Sequence, residues 1–289
     1  MKAALVLLLS VCMVARDTTH IRMERLLPFS VMIAGGVVMT QLAQQRQYWK
    51  VPAPFTVNTG DDYRYAANAD KFGHGFAAYA ITVGISQGLW WSGVDTTVGI
   101  WIAAAVALTN QTIVEYRDAT HVARDGSSVP YLGWSWGDML ANMVGALLPV
   151  AQHYYRADSR FIEQLRYKFS LHSAGNVERG YFQSILDDYE SQYHWLCFPL
   201  GAVLGGEQSW WKDAFGIGLG HSVRGTVGTG GAYTFTGTHE LWVTLDYNLE
   251  AIPVESPLVR SLLRIVNLVR LPAPCARIVP GVAVFGFRW

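Results

Sequence analysis

The chain has 289 residues, of which 51% are hydrophobic and only 15% charged, with 22 basic and 22 acidic side chains and no net charge. A soluble domain carries roughly 25% charged residues. The deficit and a mean hydropathy of +0.18 point to a membrane part beside a polar part. The absence of any Lys/Arg run excludes a nucleic-acid binder, which needs a basic face for phosphates.

Lys2 followed by the apolar run Ala3–Ala15 reads as a secretory signal or anchor within residues 1–20. Ala15 suits the position before a cut, whereas Met13 is large for the position two before it. Cys12 raises lipidation, although Val11 before it is bulkier than the small residue that modification prefers. Leu26–Ala43 then runs 18 residues without charge, the first spanning candidate. Residues 44–68, with Pro52, Pro54 and Gly60, read as a loop. A second helix is expected from Asn68 or Asp70 to about Leu89, and a third from Asp95 to Asp118. Gly126, Pro130 and Gly133 mark a loop. A fourth helix follows from Ser135–Asp138 to Gln152, with Ser135 as its cap and Asp138 in its first turn, where a carboxylate meets the positive end of the helix dipole.

From His153 to Asp188 the pattern is amphipathic and charged. Glycine then becomes frequent, and Leu241, Val243, Leu245 and Tyr247 alternate with Trp242, Thr244, Asp246 and Asn248, the period of a half-buried strand. Val282, Val284 and Gly286 alternate similarly. Ser256–Arg270, with Arg260, Arg264 and Arg270 among apolar residues at helical spacing, reads either as an interfacial helix on anionic lipid or as a helix capping a small sheet. Four to six strand candidates fall short of the about eight of a closed bacterial barrel. Tryptophan pairs such as Trp90-Trp91 and Trp210-Trp211 suit a membrane–water interface. Cys197 and Cys275 lack metal-ligand spacing and read as buried thiols or one disulfide.

The expected fold is thus a mainly α membrane helical bundle of about four helices, followed by a smaller β-containing carboxy-terminal region. Residues 1–20 form the signal or anchor, 21–152 the bundle, and 153–289 the amphipathic and β-rich part.

Four stretches carry ionisable residues. Asp70 and His74 are four apart and share a helix face. Glu115 and Asp118 share another, with Arg117 between them. His121 and Arg124 follow, and Asp138, Asn142 and Gly145 line the start of the fourth helix. Alternating helix direction places these ends on one side of the membrane. His74 is the expected proton carrier, because its pKa of roughly 6.5 suits that role, with Asp70, Glu115 and Asp138 as its catalytic partners. Glu115, Asp118 and Asp138 are candidate ligands of a divalent cation. Arg117, His121 and Arg124 are candidate anion contacts. A plain structural alternative is that Lys71 and Arg117 neutralise these carboxylates and tie helix ends together. No nucleophile elbow, phosphate-binding glycine loop or His-Glu-x-x-His run occurs.

The order Asp70-Lys71-Phe72-Gly73-His74, Glu115 with Asp118, then Gly137-Asp138 with Asn142 and Gly145, over about residues 65–150, resembles the YfiM-like family, a domain of unknown function described as a periplasmic lipoprotein. More distantly it resembles VanZ-like membrane proteins. The resemblance implies a helical bundle in the cell envelope, in the inner or outer membrane with periplasmic exposure, and no established reaction. Membrane lipid and an envelope protein are the expected partners. The functions to separate are an anchoring or envelope-maintenance protein and a membrane enzyme acting on a lipid-linked or phosphorylated substrate.

Overall fold

The computed structural model describes residues 21–47, 49–60, 62–122, 133–155, 160–172, 188–205, 209–226 and 236–288. The leader expected within residues 1–20 and the candidate anion contact Arg124 lie outside them. The chain forms two compact units, Met1–Thr59 with Ala78–His153, and Gly60–Ala77 with Tyr154–Trp289.

The helical unit contains α1 (Met23–Gln47), most of α2 (Ala69–Trp91), α3 (Thr96–Thr120) and α4 (Trp136–Tyr154). All four helices lie where the apolar runs and caps predict them. Asp95 caps α3 by accepting from the amides of Thr97 and Val98. Ser135 caps α4, its Oγ accepting the Asp138 amide at 2.9 Å. Leu26 is buried with Ile85, Leu89, Ala103 and Val106, and Phe29 packs against that cluster. Gly88 leaves the space Phe29 fills, since a Cβ there would stand 1.9 Å from the ring. A short antiparallel pair, β1 (Val51–Pro52) and β2 (His121–Val122), closes the end of α3.

The expectation of a four-helix membrane bundle is corrected here. Only α1, over Met23–Arg46, and α3 are long and apolar enough to cross a membrane among the described residues, and half of α3's apolar window is buried. The first nine residues of α2 belong to the sheet unit. The 14 that remain rise about 21 Å, short of the about 30 Å of a bilayer core. Helix α4 buries Asp138, Asn142 and Gln152 along its length. Nor is the β part a minor appendix, because it is a full sheet with its own interior.

The sheet is a six-stranded antiparallel meander in chain order: β3 (Arg166–Leu171), β4 (Gln192–Pro199), β5 (Phe215–Arg224), β6 (Thr238–Tyr247), β7 (Ala273–Val279) and β8 (Ala283–Arg288). Short helices α5 (Arg160–Gln164), α6 (Leu200–Leu204), α7 (Trp210–Ala214) and α8 (Pro257–Val266) flank its strands. The last three sit in connections at one rim, where Pro199, Phe215, Tyr247 and Ala273 end or begin their strands.

The buried face of this sheet is the polar one. Lys168 and Asp246 pair at 2.8 Å with both side chains almost fully buried. Arg270 is fully buried and lies 4.2 Å over the Trp195 ring. Glu240 accepts from Ser222 at 2.7 Å and from Arg277 at 2.8 Å. The ring nitrogens of Trp195 and Trp242 donate to Ser170 and Ser222. Cys197 and Cys275 are free buried thiols, and burial raises both thiol pKa values.

Side-chain bulk on the facing strands explains two glycines of β5. A Cβ on Gly220 would stand 2.4 Å from the Trp195 ring, and one on Gly218 2.8 Å from Thr244 and 2.9 Å from Cys197. Edge strand β3 is covered by the segment after α8, whose Arg270 amide donates to the Phe169 carbonyl at 2.9 Å. The Arg270 guanidinium donates in turn to the Arg288 carbonyl of the other edge strand at 2.7 Å.

Two substitutions test this interior. Gly220→Ala should destabilise the sheet by about 1–3 kcal/mol through overpacking. Lys168→Met should cost about 3–5 kcal/mol by stranding Asp246, and Lys168→Met/Asp246→Leu should recover most of that loss. Denaturant unfolding of the full chain measures all three.

Candidate functional site

The sheet unit places Asp70 and His74 on the first turns of α2, just after a strained turn. In Tyr65–Asn68, Ala66 and Ala67 adopt φ/ψ of 46°/32° and 49°/42°, and Asn68 has φ 63°. The left-handed region costs an L-residue about 1–2 kcal/mol, and alanine has no side chain to compensate. Packing holds the turn, because Ala66 and Ala67 are buried with Tyr189 and Val223. Gly237 lets the β6 lead-in approach, since a Cβ there would lie 3.2 Å from that of Ala67. Small residues are therefore needed on both sides. The Asn68 Oδ1 is buried with no hydrogen-bond partner among the described residues.

Beyond this turn, the Tyr189 hydroxyl donates to Asp70 Oδ1, and His74 Nε2 stands 3.8 Å from the same oxygen. The carboxylate lies in the first turn of α2, where the helix dipole favours negative charge. The Lys71 ammonium bonds Asp62 at 3.1 Å and lies 5.5 Å from the Tyr63 ring centroid. An imidazole beside a carboxylate that also accepts from a tyrosine is an arrangement able to hold or pass a proton.

Behind Asp70, Phe72 stacks on His194 and His221, with ring centroids 5.9 and 4.2 Å away. Tyr167 donates to the Phe72 carbonyl at 2.8 Å, and Phe76 stacks on Phe169. His221 Nε2 lies 3.0 Å from His239 Nδ1. The His194 Nε2 and His221 Nδ1 atoms are buried without hydrogen-bond partners among the described residues. Burial and the neighbouring His221 push His194 down to about 3. Burial and His239 push His221 down to about 4, against the opposing pull of Glu240. Both imidazoles are therefore neutral packing for the helix start, and they anchor Asp70 and His74 to the sheet.

Within the helical unit the other candidates make contacts of their own. Glu115 is buried and accepts the Ser135 amide at 3.1 Å, so it supports the capping residue whose hydroxyl serves Asp138. Gln111 donates to Asn142 at 3.0 Å, extending a buried polar seam between α3 and α4. Asp118 accepts from the Trp49 ring nitrogen at 2.6 Å. Arg117 lies 3.2 Å from His121 Nε2, and His121 Nδ1 is 3.0 Å from the Thr120 hydroxyl. Glu115 and Asp138 thus meet through Ser135, and Arg117 meets His121.

Tyr189, His194, His221 and His239 are absent from the sequence-derived set. The three histidines reach the site through strand pairing and Tyr189 from the turn before β4, and one sequence does not give a strand's register or partner.

The histidines make an acid dependence. A group neutral in the fold and titrating near 6.5 when unfolded contributes stability that is complete above 6.5 and lost as pH falls toward its folded value. Unfolding of the full chain between about pH 7 and about pH 4 should show stability falling with pH. His194→Gln/His221→Gln should flatten that slope; an unchanged slope would assign it to other groups.

Comparisons with protein-family models, with curated proteins and with solved structures find no match to this chain.

Proposed function

We propose that this chain is a membrane-associated protein of the cell envelope, held through α1, with an anchoring or envelope-maintenance role. The observation that carries this is the exposure of α1. Its apolar window over Met23–Arg46 is almost entirely unburied, and Val31, Met32 and Met39 are each 60–68% exposed. Those 24 residues rise about 36 Å, enough to cross a core of about 30 Å with some tilt. Arg22 and Arg25 stand at one end and Arg46 at the other, positions from which long cationic side chains reach headgroups. Periplasmic exposure of the polar parts agrees with the resemblance to YfiM-like proteins.

A second reading has its own support in the strained turn before Asp70 and His74. Backbone held in costly conformations gathers at sites of function, and here it leads into a carboxylate–imidazole pair. On this reading the protein is a membrane enzyme for a lipid-linked or phosphorylated substrate, with His74 as proton carrier and Asp70, positioned by Tyr189, as its partner.

Full-length protein should sediment with membranes, resist an alkaline wash and dissolve in detergent. Val31→Lys/Met39→Lys should release it or make it aggregate, and wild-type protein in the alkaline supernatant would sink the anchoring proposal. For the second reading, native mass spectrometry of the detergent-purified chain should find a stoichiometric lipid or ion that a folded Asp70→Asn/His74→Gln variant lacks. A variant that carries nothing less than the wild type but melts earlier would make the pair structural.

A further inference from the structure

The sheet has its polarity reversed. In a sheet facing water on one side, the apolar residues point inward and the polar ones outward. Here Lys168, Asp246, Glu240 and Arg270 are inside, while alternate positions of the same strands turn apolar side chains out. Leu219 is 55% exposed, Leu245 52% and Val284 80%.

The outward residues form one surface, because the strand register sets them side by side. Leu196 pairs with Leu219, Leu219 with Val243, and Ile217 with Leu245. The row continues from Val243 to Ala276 and from Ala276 to Val284. These positions carry no charged side chain. The α2 start covers the other end of this face, through Phe72 and Phe76.

Features at the helix-bearing rim identify what lies on that surface. Trp210 is 72% exposed, and Trp211 beside it is exposed as well, with the Lys212 ammonium 5.9 Å from its ring centroid. Helix α8 exposes Leu258, Leu262, Ile265 and Val266, which fall on one stripe at helical spacing. Helix α8 itself carries Arg260 and Arg264 and no acidic residue. Arg260 reaches the Val254 carbonyl, and Arg264 lies 3.7 Å from Glu250. A cationic amphipathic helix next to interfacial tryptophans complements anionic headgroups. A polar-in, apolar-out sheet complements acyl chains. The centre of a protein interface is enriched in aromatic, Met and Arg anchors, whereas the register rows above hold only aliphatic side chains.

We propose that the outward face of β4–β8, with α7 and α8, is a second lipid-contact surface that seats on the acyl chains and anionic headgroups of a bilayer. It deepens the membrane reading, yet it makes a separate claim, since α1 alone suffices for membrane attachment.

The test uses the full chain in vesicles of phosphatidylethanolamine and phosphatidylglycerol. A bimane label is placed at an introduced cysteine, in Val243→Cys or Leu262→Cys, with Thr238→Cys at the opposite rim as the aqueous reference. The native buried thiols are checked for labelling in the unsubstituted chain. Labels at 243 and 262 should shift their emission to the blue, lose most of their intensity to brominated acyl chains and resist aqueous iodide, while the label at 238 responds to iodide. Replacing phosphatidylglycerol with phosphatidylcholine should weaken the shift at 262. A vesicle-bound chain whose labels at 243 and 262 remain open to iodide overturns this surface and leaves α1 as the attachment. Labels shielded from both quenchers, with a doubled particle mass in detergent, assign the face to a second copy and overturn it as well. A chain that does not bind vesicles overturns both membrane claims.

Discussion

Lys168 and Asp246 face one another inside the sheet at 2.8 Å, and holding that pair out of water constrains much of the unit. An isolated buried ion costs several kcal/mol, so its remaining hydrogen-bonding capacity must be met. The Lys168 ammonium has three protons. One serves Asp246, one the Tyr247 carbonyl at 2.7 Å and one Asn267 at 2.8 Å. Asn267 must therefore return to the sheet at the end of α8, which fixes where that helix sits. Three residues on, Arg270 bonds both edge strands. The pair thus determines the connection that covers the edge of β3, an otherwise open row of backbone donors and acceptors.

The same interior sets the sequence of β5. A ring as large as Trp195 fits against β5 only where its neighbour has no side chain, and Gly220 supplies that space, as Gly218 does for Cys197 and Thr244. It also supports the strained turn at Ala66 and Ala67. Tyr189, packed on that turn, is the residue that donates to Asp70, and Glu190 beside it accepts from the Thr226 amide at 2.7 Å. Sheet, turn and carboxylate are one mechanical chain. Strain at Ala66 and Ala67 persists because packing outweighs it locally.

The four long helices were legible because their signals are local. Asp95 and Ser135 stand at the caps, and charge-free runs occupy the interiors. Whether those helices cross a membrane was not legible, since apolar content does not say what covers it. The start of α2 went to the sheet unit through Phe72 and Phe76, whose partners His194, His221 and Phe169 lie roughly a hundred or more residues away. Of the ionisable stretches, Asp70 and His74, four apart, stand 3.8 Å from one another on α2. Tyr189 carried no spacing signal, because its link to Asp70 spans 119 residues.

The alternation over Leu241–Tyr247 shows the deeper limit. Period two is a statement about geometry, and it identifies a strand correctly. It does not say which set of side chains faces the interior. Hydrophobicity normally breaks that tie, on the premise that the other side is water. In β6 the buried set is Glu240, Trp242, Thr244 and Asp246, and the exposed set is Leu241, Val243 and Leu245. The tie is broken instead by charge complementarity, since Asp246 has Lys168 and Glu240 has Arg277, and by Gly220, which faces Trp195. Each of those partners comes from a different strand. A sheet whose charges neutralise one another across strands has a polar core that is self-sufficient, and its apolar face is then free to meet a solvent other than water.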